Sequence, residues 1–190
     1  MMTWFDQINK NWTLFLDRDG VINYESETDY IRNWESFRFL PGVIDAFPIF
    51  KQFFSRIFIV SNQKGVGKGL MTENDLISIN ENLVKTIDTA GGHIDRVYYC
   101  TSLDDADPFR KPNNGMALKA REEFPEISFS SSLMVGNTMS DMEFGKSLGM
   151  RTIFIPSAKP KPILPDPRID QVFNDLATIA KALQKSVVTK

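Results

Sequence analysis

Two acids one residue apart, Asp17 and Asp19 in the run Asp17-Arg18-Asp19-Gly20-Val21-Ile22, directly follow the apolar stretch Trp12-Thr13-Leu14-Phe15-Leu16. The stretch reads as a β-strand, and its C-terminal end is where α/β enzymes keep their chemistry. Alternation along a strand sends Asp17 and Asp19 to the same side, so that one carboxylate can attack while the other handles a proton. Carboxylates this close repel, which calls for Mg²⁺ beside them or a raised pKa. Gly20 lets the backbone turn tightly next to a ligand. An acidic turn after a strand explains the four residues equally well, because acids and glycine are ordinary turn formers. The rest of the chain has to decide.

Three further polar clusters stand behind apolar runs. Ser61-Asn62-Gln63-Lys64-Gly65-Val66-Gly67-Lys68-Gly69 is small, polar and glycine-rich, and suits a hydroxyl and backbone N–H groups presented to a phosphate. It is not a nucleotide P-loop: no Ser or Thr follows Lys68 and the glycine spacing is wrong. A flexible turn is the plainer alternative. Arg110-Lys111-Pro112 offers a lysine to counter phosphate charge and an arginine to grip a second group. Such a pair standing alone is usually surface charge. Gly136-Asn137-Thr138-Met139-Ser140-Asp141 supplies oxygen donors of the kind that suit Mg²⁺.

The elements that must position these residues alternate. Strands are expected at 13–17, 56–61, 96–100, 133–136, 152–155 and, more weakly, 171–173; helices are expected at 41–53, 73–90, 114–123, 140–148 and 175–185. Thr72 with Glu73, Asn74 and Asp75 starts the second helix, and Gly91-Gly92 ends it. Strand-helix alternation implies a parallel sheet with right-handed crossovers and helices on both faces. With 190 residues, 42% of them hydrophobic, the chain is long enough for one α/β domain spanning 1–190. A net charge of -2 leaves no basic footprint for nucleic acid.

The remaining signals are bland. The N-terminal stretch to Trp12 has no signal-peptide pattern, no apolar run reaches membrane-spanning length, and the expectation is a cytoplasmic monomer with no membrane or nucleic-acid partner. Cys100, the only cysteine, has no disulfide partner. The Pro/Lys stretch 156–167 reads as a loop. His93 reads as a surface residue, and its solitude excludes metal-histidine hydrolases and phosphohistidine chemistry. Phe37, Phe39, Phe47, Phe50, Phe53 and Phe54 read as core. Tyr30 and Trp34 lie near the expected entrance to the site.

The motifs as an ordered set resemble the haloacid dehalogenase (HAD) superfamily of phosphotransferases over roughly 14–155. The stretches that carry the resemblance are DRDGVIN at 17–23, LPGV at 40–43, SNQKGVGKG at 61–69, RKPNNGM at 110–116 and VGNTMSDM at 135–142. Within the superfamily the chain is similar to the capless branch that holds the D-glycero-D-manno-heptose 1,7-bisphosphate phosphatases and the phosphatase domain of histidinol-phosphate phosphatases. The resemblance implies a Rossmann-like three-layer α/β/α fold with no large cap, since the gaps at 22–40 and 69–96 are too short for one.

It further implies an Mg²⁺-dependent phosphomonoester hydrolase, with a small sugar bisphosphate as first substrate and histidinol phosphate as second. Asp17 would form an aspartyl-phosphate and Asp19 would serve as general acid and base. Lys111 would orient Asp17 and the phosphate. Asn23, Ser61, Asn62, Gln63 and Arg110 would join these three in binding the substrate. Mg²⁺ would be held by Asp17, the Asp19 backbone carbonyl and Asn137, with Asp141 in support. The chain departs from the pattern twice. Asn137 stands where the family usually has Asp, which raises the alternative of a weakened, phosphate-binding domain. A structural zinc loop of the branch survives only as Cys100, with Ser102 in place of a histidine and no cysteine in 103–109, so no zinc is expected. Asp104, Asp105 and Asp107 read as a solvated acidic loop.

Overall fold

A computed structural model describes residues 4–26, 29–157 and 162–188. Six strands form one parallel sheet in the order β3-β2-β1-β4-β5-β6: β1 (Trp12–Leu16), β2 (Phe54–Asn62), β3 (Arg96–Cys100), β4 (Ser132–Gly136), β5 (Arg151–Phe154) and β6 (Gln171–Val172). The helices are α1 (Val43–Phe53), α2 (Lys64–Gly67), α3 (Glu73–Thr89), α4 (Gly115–Glu123), α5 (Met139–Ser147) and α6 (Leu176–Val188). Every expected strand and every expected helix is present, with no end displaced by more than three residues and β3 matching at both ends.

Strand periodicity sorts the apolar side chains into two cores. Leu14, Leu16, Ile57, Ile59, Leu133 and Val135 face one side with the buried stripes of α1, α3 and α6. Phe15, Phe58, Val60 and Met134 face the other, against Met116, Ala117 and Ala120 of α4 and Phe144 of α5. Alternation on the strands and a 3.6-residue stripe on the helices thus build the three layers. Phe37, Phe47, Phe50, Phe53 and Phe54 are buried in the first core and Phe39 packs against it.

The order 3-2-1-4-5-6 reverses direction between β1 and β4, and a crevice opens there beyond the carboxyl ends of the strands. Between β1 and α1 the described residues hold only a tight turn, two isolated bridges and one 3₁₀ turn at Trp34–Ser36. No helix among the described residues is long and apolar enough to cross a membrane. In the Pro/Lys stretch, 158–161 lie outside the described residues, and the described remainder carries no helix or strand. Residues 1–3 of the N-terminal stretch lie outside them as well.

Two local expectations fail for identifiable reasons. β1 ends at Leu16, so Asp17 and Asp19 do not share a face by strand alternation. The chain instead coils on itself: the N–H groups of Val21, Ile22 and Asn23 all donate to the Arg18 carbonyl, and Gly20 sits at φ +80°. A Cβ at Gly20 would lie 2.1 Å from Asn137 Nδ2, so glycine is required by space as well as by φ. The glycine-rich run after β2 is also not a flexible turn. Lys64–Gly67 forms one helical turn whose Lys64 carbonyl accepts from Lys68 N–H.

Candidate active site

A cleft of about 510 Å³ opens at the carboxyl edge of the sheet. Asp17 and Asp19 reach it from β1, Ser61, Asn62 and Gln63 from β2, Arg110 and Lys111 from beyond β3, and Asp141 from the first turn of α5. Residues that the sequence scatters over 125 positions meet because parallel strands deliver all their C-terminal ends to one edge.

Lys111 is the hub. Its ammonium is buried, donates to the Val60 carbonyl at 2.6 Å, and lies 3.0 Å from Asp17 Oδ1 and 2.6 Å from Asp141 Oδ1. Asn62 clamps the lysine backbone, accepting from Lys111 N–H and donating to the Lys111 carbonyl, each at 3.0 Å. The Asn62 side chain thus seats Lys111 while the residue lines the cleft. Burial pushes the Asp17 carboxyl up to about 7, assisted by the negative charge of Asp141 and opposed by Lys111. The same two carboxylates hold the Lys111 ammonium above the usual lysine range despite its desolvation.

Asp141 itself is tied into the N-terminus of α5. Its Oδ2 accepts from Thr138 N–H at 2.9 Å and from Thr138 Oγ1 at 2.6 Å, while Thr138 Oγ1 accepts from Asp141 N–H in return. This capping box fixes the carboxylate before any ligand arrives. A Cβ on Gly136 would come within 2.2 Å of Asp141 Cβ, so β4 must end in glycine for the helix to start this close.

Asp19 lives in a different field. Burial would raise it, but the Arg18 guanidinium and hydrogen bonds from Asn23 Nδ2 and Gln63 Nε2, both 2.8 Å, hold its carboxyl below the usual range. Two carboxyls at one cleft thus have their proton affinities pushed apart, Asp17 upward by burial and Asp19 downward by the Arg18 charge and its hydrogen bonds. Asn23 is fully buried and donates to Asp19 Oδ1 and the Tyr24 carbonyl, which orients the acid. Gln63 also joins Asp19 to Ser61 Oγ at 2.8 Å.

Arg110 lines the cleft, but its Nε donates to Asp105 Oδ1 at 2.8 Å and its Nη1 to the Ser102 carbonyl at 3.1 Å. That contact corrects the reading of the acidic loop as merely solvated. Asp104 and Asp107 accept from the N–H groups of Ala106 and Phe109, and Asn113 Nδ2 ties together the carbonyls of Asp105 and Asp107. The loop is a folded support for Arg110. Burial of Cys100 behind it pushes the thiol up.

Tyr30 lines the cleft with the Lys68 ammonium 5.3 Å from its ring centroid, whereas Trp34 packs on Phe37 and Phe39. His93 is half-exposed beside Asp88 and Asp95. Asn137 is buried beneath the cleft: its Nδ2 donates to Glu25 Oε2 at 3.2 Å and to Ser157 Oγ at 3.0 Å, and its Oδ1 has no partner.

The sequence reading gave no individual role to Arg18, Glu25, Lys64, Lys68, Thr138 and Ser140, all of which line the cleft. Strand alternation alone would send Arg18 away from Asp17 and Asp19. In the structure its buried guanidinium donates to both Asp19 oxygens, to Gln63 Oε1 at 3.0 Å and to Asn80 Oδ1 at 3.2 Å. Its position between two acids was the only available signal.

Known proteins are similar to this chain in sequence and in fold. Residues 108–179 match the family described as HAD-hydrolase-like. The chain is 33% identical over 155 residues to the D-glycero-alpha-D-manno-heptose-1,7-bisphosphate 7-phosphatase of Campylobacter jejuni, covering 80% of this chain and 86% of that protein. It is 31% identical over 180 residues to the D-glycero-beta-D-manno-heptose-1,7-bisphosphate 7-phosphatase of Yersinia pestis, covering 90% and 94%. A crystal structure of D,D-heptose 1,7-bisphosphate phosphatase from Burkholderia thailandensis superposes with a TM-score of 0.65 at 26% identity, covering 90% and 97%. That of the B. bronchiseptica enzyme, complexed with magnesium and phosphate, gives 0.81 at 24% identity, covering 91% and 98%. Fold and relatives together define a phosphatase of the HAD-like hydrolases. Within that class, the chain belongs to the family of the D-glycero-D-manno-heptose 1,7-bisphosphate phosphatases.

For a phosphatase, the Arg18 contacts have a kinetic signature. Replacing Arg18 with methionine removes the charge that holds Asp19 low, so its pKa rises. Since the group that gives a proton governs the alkaline limb, that limb of the pH profile of kcat/KM is expected to move to higher pH. An unmoved limb would show that Arg18 does not set the ionisation of Asp19.

Proposed function

We propose that the chain hydrolyses the 7-phosphate of D-glycero-D-manno-heptose 1,7-bisphosphate through an aspartyl-phosphate on Asp17. The observation that carries this reading is the set of cations gathered at the cleft. Lys111 lies against Asp17, and Lys64, Lys68 and Arg110 line the same cleft from α2, the residue after it and the loop before Lys111. A substrate with a phosphate at each end offers two anions to these cations, and one with a single phosphate offers one.

Asp17 would attack phosphorus with one carboxylate oxygen while the bond to the sugar oxygen breaks. Asp19 would give that oxygen its proton. The fold holds it ionised; as the anionic phosphate approaches, its proton affinity rises and it takes from solvent the proton that it then passes to the leaving oxygen. In the second half Asp19 would take a proton from water, which attacks phosphorus, releases phosphate and restores Asp17. Ser61 Oγ and nearby backbone N–H groups would hold phosphate oxygens, and Lys111 would neutralise charge on Asp17 and the phosphoryl group. Gln63 and Asn23 would keep Asp19 aimed.

The residues fit Mg²⁺. Asp17, Asn137, Asp141 and the Asp19 carbonyl are all hard oxygen donors, and the buried, unpartnered Oδ1 of Asn137 is a ligand atom without a ligand. When bound, Mg²⁺ would supply positive charge to ionise Asp17 and stabilise the phosphoryl oxygens.

Phosphate release from both anomers of heptose 1,7-bisphosphate, histidinol phosphate, fructose 1,6-bisphosphate and glycerol phosphate tests the reading. One heptose anomer is expected to exceed histidinol phosphate at least tenfold in kcat/KM, about 1.4 kcal/mol of differential transition-state binding. EDTA is expected to abolish release. Equal rates with and without metal, or a tenfold preference for histidinol phosphate, would overturn it.

A further inference from the structure

We infer that Glu25 is a positioning residue of the cation site, acting through Asn137 and supplying the negative charge that Asn137 lacks. The inference rests on the Mg²⁺ reading above and concerns how this chain compensates for a neutral ligand. Three observations carry it. Asn137 is 1% exposed and commits its Nδ2 to two acceptors, Glu25 Oε2 and Ser157 Oγ, which fixes the rotation of the amide. Its Oδ1 is consequently turned away from both and is buried with no partner. Glu25 itself lines the cleft with Asp17 and Asp19, and a Cβ on Gly20 would meet both Asn137 Nδ2 at 2.1 Å and Glu25 Oε2 at 3.2 Å. Carboxylate, amide and the acid-bearing turn therefore converge on one point.

The physics is that of a carboxylate behind a metal ligand. A negative charge accepting the Nδ2–H polarises the amide, so that Oδ1 becomes a better donor to a cation, and the hydrogen bond holds it in register. An aspartate at position 137 would bring its own charge but would face Glu25 at hydrogen-bond distance with no proton between them. Asparagine at 137 and glutamate at 25 thus form a matched pair: one charge, one hydrogen bond.

The test is a charge exchange read by Mg²⁺ binding to the metal-free, substrate-free protein, using calorimetry and the Mg²⁺-induced rise in Tm. Glu25→Gln is expected to weaken Mg²⁺ about tenfold while leaving the metal-free Tm near wild type. The double variant Glu25→Gln with Asn137→Asp restores both the charge and the hydrogen bond and is expected to regain most of the affinity. Asn137→Asp alone sets two carboxylates together and is expected to lower the metal-free Tm. A loss of less than threefold in Glu25→Gln, or a double variant binding no tighter than Glu25→Gln, would overturn the inference. A wild type that binds no Mg²⁺ would overturn the metal reading and this inference together, and so is distinguishable from failure of Glu25 alone.

Discussion

Asp17→Asn is expected to abolish turnover and at the same time to make the metal-free protein more stable at pH 8. The loss follows from removing the attacking oxygen in a nearly isosteric change. The gain follows from linkage. The Asp17 carboxyl is raised to about 7 in the fold, chiefly by burial and then by Asp141, from an ordinary value near 3.8. Between those two values the folded protein holds a proton that the unfolded chain has released, so stability falls as pH rises through the window. Above about pH 7 the full cost of the buried charge is present, and an amide escapes it. Tm of the metal-free variant should exceed wild type by roughly 5 °C at pH 8, with the difference shrinking toward pH 4. Saturating Mg²⁺ should reverse the order, because the wild type gains a ligand charge that the variant has lost. Turnover near wild type would reassign the nucleophile, and a lower Tm at pH 8 would contradict the burial cost.

Lys111→Met is expected to be the most destabilising substitution in the site. Lys111 is the cation that lies against both Asp17 and Asp141, and its removal leaves two buried carboxylates facing each other. Breaking a buried ion pair from one side costs about 3–5 kcal/mol, or a fall of about 10 °C in Tm for a chain of this size. The sign with pH is definite. Without the lysine the Asp17 carboxyl rises further, so the penalty is largest at pH 8 and smaller at pH 5, where Asp17 can take up a proton. Adding Asp17→Asn should recover part of the loss at pH 8, since it removes one of the two stranded charges. Turnover should fall by at least about 10²-fold. Thermal melts of the single and double variants at the two pH values check all of this, and a pH-independent loss would show that Lys111 matters only for packing.

Order and type of elements were written in local patterns that packing had only to confirm. Leu14, Phe15 and Leu16 alternate between two cores because the strand repeat is two, and Leu76, Ile79, Leu83 and Ile87 form one stripe of α3 because the helix repeat is 3.6. Since parallel strands end on a common edge, polar residues after each apolar run could be assigned to one site from the sequence, and Asp17, Asp19, Ser61, Lys111 and Asp141 are found there. What the sequence could not determine is which atoms meet. Asp19 joins Asp17 through a coiled turn closed on the Arg18 carbonyl, not through alternation. Asn62 seats Lys111, Asn23 and Gln63 aim Asp19, and Arg110 is held by Asp105. Arg18, although inside the DRDGVIN stretch, and Glu25 gave no sign of what they contact, because those contacts exist only once distant segments pack: Arg18 against Gln63 and Asn80, Glu25 against Asn137, 112 residues away. Local repeat fixes elements, but proton affinities and hydrogen bonds depend on burial and on neighbours distant in the chain, and these come into being only with the tertiary fold.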